Sequence, residues 1–171
     1  MKNYSGGNWN VVFVGSPGAP RSHCGRSGGH PYTSIVSSPA IAEKPYIIMD
    51  RSGKYQLMKP KVEFNKKGNT PNWEYADSID FENVYVASEN DSAATISSKI
   101  EDGLSIVLQP GQYNLEDSIK VNKADTVILG LGMATLISKT GKACIEVGNV
   151  EGVRIAGILL QAGYVKTPAL L

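Results

Sequence analysis

Two histidines, two cysteines and two tryptophans in 171 residues leave little from which a metal or redox centre could be built. His23 and Cys24 are adjacent, but one neighbouring pair of ligands without a second pair does not make a zinc site. A turn with incidental polar residues explains them better. Neither a metal nor another cofactor is expected. No run approaches the roughly 18 apolar residues of a membrane-spanning helix. The first residues, Met1 to Gly7, lack the apolar core of a signal peptide. A leader removed upstream, or an artificial start at Met1, is the expectation. Dense Lys/Arg clusters are missing too, and the net charge is +1, which removes the usual electrostatic footprint of a nucleic-acid binder. Long stretches of helical periodicity are absent, whereas glycine (18) and proline (9) are plentiful. With 42% apolar and 19% charged residues, the chain has material for a core built mainly from strands and turns.

Cys24 and Cys144 could form one disulfide in an oxidising compartment. Two separate thiols, with Cys144 buried in a strand, is the plainer reading of the same pair.

Residues 1–77 read as irregular β structure. Trp9 to Val14 is strand-like and ends at Gly15-Ser16-Pro17-Gly18. A glycine-rich loop follows from Arg21 to Pro31. Tyr46–Met49 and Tyr55–Met58 flank the turn Asp50-Arg51-Ser52-Gly53-Lys54, which predicts a β-hairpin. Lys59 to Glu63 is expected to extend its second strand past an edge-placed Pro60. Asn65 to Asp77 reads as a surface loop and Phe81 to Val86 as a return to strand.

The pattern changes at Asn90. Asp91 and Ser92 supply a helix start, Ile96 and Ile100 lie four apart, and Gly103 stands where a C-terminal cap belongs. One short helix is predicted over Ser92 to Ile100. Beyond it come only short apolar strands, at 106–108, 119–121, 127–129, 135–137, 144–147, 153–155 and 158–160, which excludes a doubly wound α/β fold. Lys123 to Gly130 aligns with Val150 to Gly157 at an offset of 27 residues, and Ile119 to Val121 with Ile145 to Val147 at 26. A near-constant period of this length predicts a coiled solenoid, in which each coil buries its inward side chains on those of the next. The expected fold is all-β: the start of a right-handed parallel β-helix, capped by the short helix.

Asp91 to Ile96, Gly103, Ile106-Val107-Leu108, Pro110-Gly111-Gln112-Tyr113 and Ile128-Leu129-Gly130-Leu131-Gly132 resemble the opening of pectate-lyase-like β-helix proteins. A wider resemblance takes in Asn8-Trp9-Asn10, Val12 to Gly15, Glu43-Lys44-Pro45, Gly130 to Leu136, Gly152 to Gly157 and Leu159-Leu160-Gln161-Ala162-Gly163. It is to large secreted microbial polysaccharide-degrading proteins of the 1,3-glucanase kind, a group often called adenylyl cyclase or coagulation factor 5/8-type domain proteins. The resemblance implies fold and broad class but not substrate. It also implies further coils beyond Leu171, where catalytic carboxylates of such enzymes would lie. No metal-binding aspartate pair supports cyclase chemistry, and Gly130-Leu131-Gly132 lacks the third glycine and the following helix of a dinucleotide loop.

Glycoside hydrolysis needs carboxylates roughly 5 to 9.5 Å apart. Glu116, Asp117, Asp125, Glu146 and Glu151 are the acids available in the solenoid region. Glu116, Asp117 and Asp125 sit at turns, where such residues satisfy backbone amides. Glu146 is expected on the solvent face in register with Lys120, where a stacked ion pair is at least as ready a reading as a catalytic dyad. The catalytic residues of this chain are therefore unknown. Trp9, Tyr32 and Trp73 are candidate sugar-stacking rings, although core packing explains aromatic residues equally well.

Two segments are expected: an irregular β segment over 1–77 packing on the solenoid, and the helix with the first coils over 78–171. The expected function is that of an N-terminal part of an extracellular glycoside hydrolase acting on a glucan, inactive by itself. The alternative is a non-catalytic glycan-binding, adhesin-like or self-assembling β-helix module. Polysaccharide is the expected partner, together with a second copy of the chain docked on the last apolar coil. Neither a membrane nor a nucleic acid is expected as a partner.

Overall fold

The computed structural model describes residues 11–22, 32–68, 72 and 75–171. In chain order the strands are β1 (Val11–Val14), β2 (Tyr32–Ile35), β3 (Ser38–Ile41), β4 (Tyr46–Met49), β5 (Tyr55–Pro60), β6 (Glu63–Lys66), β7 (Ala76–Asp80) and β8 (Val84–Ala87). Helix α1 (Ala93–Glu101) follows, and then β9 (Ser105–Leu108), β10 (Gln112–Leu115), β11 (Ile119–Val121), β12 (Val127–Ser138), β13 (Ile145–Val147) and β14 (Arg154–Ala162). The chain divides into two compact units. One holds the described residues of 1–43 and 60–75, the other 44–59 and 76–171. The hairpin 44–59 thus belongs with the solenoid, although it precedes residue 77.

In the first unit, β1 and β2 pair in parallel and β3 and β6 antiparallel. The second strand of the hairpin does not run on to Glu63. It stops at Pro60, and Glu63–Lys66 is a separate strand paired with β3.

The second unit is the solenoid. Its parallel ladder runs β8, β9, β12, β14 on one side, with β10 beside the second half of β12. Ile106, Ile128 and Ile155 stand in one column. Tyr113, Leu136 and Leu160 form another, and Ile119 sits over Ile145. Most of these inward side chains are fully buried and belong to one cluster. Full burial of an Ile or Leu contributes about 1.5–3 kcal/mol, so the columns hold the coils together. The 27-residue offset expected from the repeat is the observed Ile128–Ile155 register, and the 26-residue offset the Ile119–Ile145 register.

Four sequence expectations require correction. Residues 127–129 and 135–137 are not two strands but the single β12, and likewise 153–155 and 158–160 are both in β14. Between Leu129 and Ala134 the register with β14 shifts, because β12 makes a wider corner through Gly130, Leu131, Gly132 and Met133. Gly132 and Met133 both take positive φ there, 53° and 63°. A Cβ on Gly132 would come within 2.7 Å of Pro110 Cγ, so that corner needs glycine for room as well as for backbone angle. Gln112–Leu115, absent from the strands expected, is strand β10, with Tyr113 and Leu115 inward and Gln112 and Asn114 outward. Ala76–Asp80, which starts at the end of the loop expected over Asn65 to Asp77, is β7, and Phe81–Asn83 is a 3-10 turn rather than strand.

Helix α1 closes the first coil. The Ser92 hydroxyl accepts from the Thr95 N–H at 3.1 Å. At the other end Gly103 (φ 87°) places its N–H on the Ile100 carbonyl and the Leu104 N–H on that of Lys99, a Schellman cap. Ala93, Ile96 and Ile100 are buried in the solenoid core. The Lys120 N–H in β11, which would otherwise face an open edge, donates to Ser97 Oγ at 2.9 Å. A second cluster, Leu57 with Val107, Val127 and Leu129, seals the outward face of β9 and the first half of β12 beneath the sheet β4-β5-β7.

Ile96→Asp should lower stability by about 4 kcal/mol, since it places an unpaired carboxylate in a closed core. An unchanged melting temperature would count against the cap. Tyr113, fully buried, donates its hydroxyl to the Ala87 and Gln109 carbonyls, both at 2.9 Å. Burial, with the Asp91 charge in support, pushes its pKa up to about 12. The folded value lies above the unfolded one of about 10, so this contribution is complete below pH 10 and is lost as pH rises through 12. Denaturant midpoints measured across that window should fall for the wild type and fall less for Tyr113→Phe.

Candidate functional site

The outward faces of the solenoid differ. Over the first half of β12 they are apolar and covered; over the second half they are polar and open. Two outward columns cross β10, β12 and β14 here: Gln112, Thr135, Leu159 and Asn114, Ile137, Gln161. Adjacent strands lie about 4.8 Å apart and alternate residues on one strand about 6.7 Å, so these side chains form a regular grid. Of them Gln112, Asn114, Ile137 and Gln161 line a groove of about 360 Å³ with Lys139 and Tyr164, whose side chain is wholly exposed.

The side-chain carboxamides of Gln112, Asn114 and Gln161 are exposed and make no hydrogen bond to the described protein residues. Each offers two donors and an acceptor, which matches adjacent sugar hydroxyls. Ile137 supplies an apolar floor and Tyr164 an aromatic face for C–H groups. The groove contains no carboxylate. Its geometry suits recognition of a neutral polyhydroxylated ligand and offers no acid–base pair.

Three of the five acids weighed in the sequence, Asp117, Asp125 and Glu146, are engaged elsewhere. Asp117 pairs with Lys142 at 3.0 Å, and that ammonium, with the Ser118 N–H, holds its pKa below the usual value. Asp125 pairs with Lys59 at 2.8 Å, and its pKa is lowered chiefly by that contact. Glu146 is exposed and in register with Lys120, as expected, but the ion pair is not formed. Its carboxylate accepts from the Ser118 hydroxyl at 2.9 Å instead, because Ser118 is buried at the head of β11 and needs an acceptor. Among the described residues no cluster of His, Cys, Asp and Glu has the geometry to hold a metal ion.

Of the sequence candidates, Trp9 and Trp73 lie outside the described residues, as does Cys24. Tyr32 is half-buried in β2 with its ring 6.3 Å from that of Phe13. Cys144 is a buried free thiol, its Sγ 3.5 Å from the Leu136 carbonyl, and burial pushes its pKa up. The groove residues Gln112, Asn114, Gln161 and Tyr164 were not singled out by sequence reasoning. The alternation of Gln112-Tyr113-Asn114-Leu115 is the period-two signal that could have found the first two.

Stacked parallel coils, a capping helix over the first of them and an open polar outer face together define a pectate-lyase-like right-handed β-helix. The chain belongs to the LAM55 pectate lyase-like domain family, which matches over residues 84–171. It is 34% identical, over 98% of its length, to an exo-β-1,3-glucanase from Streptomyces sp. (strain SirexAA-E / ActE). The structure of sacteLam55A from Streptomyces sp. SirexAA-E superposes with a TM-score of 0.81 at 33% identity, over 93% of this chain and 29% of that one. A variant of sacteLam55A in complex with glucose gives the same TM-score of 0.81, at 34% identity, over 93% of this chain and 28% of the other. The chain spans 27% of the length of the curated glucanase it matches. No helix among the described residues is long and apolar enough to cross a membrane.

Proposed function

We propose that this chain is the opening part of an extracellular glycoside hydrolase acting on a β-1,3-glucan, and that its own task is to seat the polysaccharide. The observation that carries the reading is the row of unpartnered carboxamides at Gln112, Asn114 and Gln161 on a solenoid face of this family. Hydrolysis is assigned to a carboxylate pair outside the groove, which holds no carboxylate; Asp117 and Asp125 are engaged with lysines and Glu146 with a serine hydroxyl.

Isothermal titration with β-1,3-linked gluco-oligosaccharides should show binding to the 171-residue chain. Asn114→Ala and Gln161→Ala should each weaken it by about tenfold, the loss of one well-placed hydrogen bond. Equal binding by the wild type and both variants would sink the assignment. The same chain should release no reducing ends from glucan, and Glu146→Gln should change nothing; hydrolysis abolished by that substitution would reverse the reading.

Association of two copies through the last coil is a second reading, favoured by the incompletely buried Ile155, Ile158 and Leu160 and the exposed Leu159 of β14. Light scattering tests it. A mass near 18.3 kDa at every concentration would rule it out, and Leu159→Lys should shift any dimer towards monomer.

A further inference from the structure

The solenoid unit carries a second cleft, of about 680 Å³, well within the range of roughly 300–1,000 Å³ typical of small-molecule sites. It shares no residue with the carboxamide groove. One wall is β7 and the 3-10 turn after it, and the other is the coil turn that leads into β12. Ile79 is the one large apolar side chain in its lining; apart from Gly103 and Ala124, the other residues carry hydroxyl, amide, amine or carboxylate groups.

The coil turn holds a preset carboxylate. Asp125 sits at φ 61°, a backbone angle uncommon for a residue with a side chain, and its N–H donates to the Glu151 carbonyl at 2.8 Å. Lys59 Nζ donates to Oδ1 at 2.8 Å, and Oδ2 accepts no hydrogen bond from the described residues, on a side chain that is 70% exposed. Facing the same space, the Asn83 carboxamide and the Lys123 ammonium are exposed and make no bond to the described residues. The free groups are thus an acceptor, a strong donor, and an amide that is both.

We propose that this cleft is a second, non-catalytic subsite that seats a neutral oligosaccharide. An anionic ligand would meet Asp77, Asp80 and Asp125, and a cation would meet Lys59 and Lys123 without any ligating carboxylate cluster. An apolar ligand would bury the free polar groups unpaired, which is costly. Sugar hydroxyls both donate and accept, so they can pair with a carboxylate, an ammonium and an amide alike. The choice of glucan as the oligosaccharide rests on the function proposed above; the cleft and its chemistry do not.

The test is an NMR titration of the 15N-labelled 171-residue chain with β-1,3-linked glucotetraose, read residue by residue. Two sets of shifts are expected, one at Gln112, Asn114 and Gln161 and another at Asn83, Lys123 and Asp125. The double substitution Asn83→Ala/Lys123→Ala changes only exposed side chains. It should weaken the second set by about tenfold or more and leave the first intact. Groove shifts without cleft shifts at saturation would overturn this subsite and spare the groove. Cleft shifts alone that the double variant removes would retain the subsite and overturn the groove. Cleft shifts that the double variant leaves unchanged would overturn the assignment to these residues, and no shifts at either place would overturn both.

Discussion

Everything in the second unit depends on side chains of one coil finding those of the next in parallel register. A single coil here contributes few large inward residues, six in the first (Ile106, Leu108, Tyr113, Leu115, Ile119 and Val121), too few to offset the entropy of ordering its backbone, at about 1–2 kcal/mol per residue. Stacking changes that balance, because Ile128 is covered on one side by Ile106 and on the other by Ile155. The same requirement explains α1. The first coil has no predecessor on the β11 side, so Ala93, Ile96 and Ile100 supply the missing apolar layer and Ser97 the missing acceptor.

The period also constrains the turns. Asp125 and Gly152 lie 27 residues apart and both adopt positive φ, 61° and 74°, because stacked coils must turn in the same place by the same angle. Glycine meets this at no steric cost, and Asp is among the few other residues that tolerate it. The repeat is therefore conformational at this position even where the residue type is not repeated.

This distinction separates what could be read in the sequence from what could not. The solenoid, its 27- and 26-residue registers, α1 with its caps and the 46–58 hairpin are all legible, since each rests on local chemistry or on like residues recurring. The wide corner at Gly130–Met133 hides the rest. Gln112 aligns with Thr135 and Thr135 with Leu159, offsets of 23 and 24 rather than 27, so no single period places the outer columns over each other. Apart from the alternation that marks Gln112 and Asn114, a groove made of Asn114, Ile137 and Gln161 has no sequence signature, because its members share only their outward direction. Strand β7 was missed for a related reason: Ala-Asp-Ser-Ile-Asp is too polar to read as a strand, and it is one because it lies beside β5 in the sheet that covers Val107 and Leu129.

The two outer faces of β12 then explain why recognition falls where it does. Val127 and Leu129 need a cover, and the sheet β4-β5-β7 provides it through Leu57, which is completely buried. Beyond the corner the outward residues become Thr135 and Ile137, flanked by Gln112, Asn114 and Gln161, and no sheet of this unit lies over them. A face of free carboxamides gains nothing from burial against an apolar layer, since each unpaired amide costs about 1–3 kcal/mol. It is stable only against water or against a ligand as rich in hydroxyls as water. The corner that breaks the repeat is thus also the point at which the solenoid surface passes from structural to recognitive.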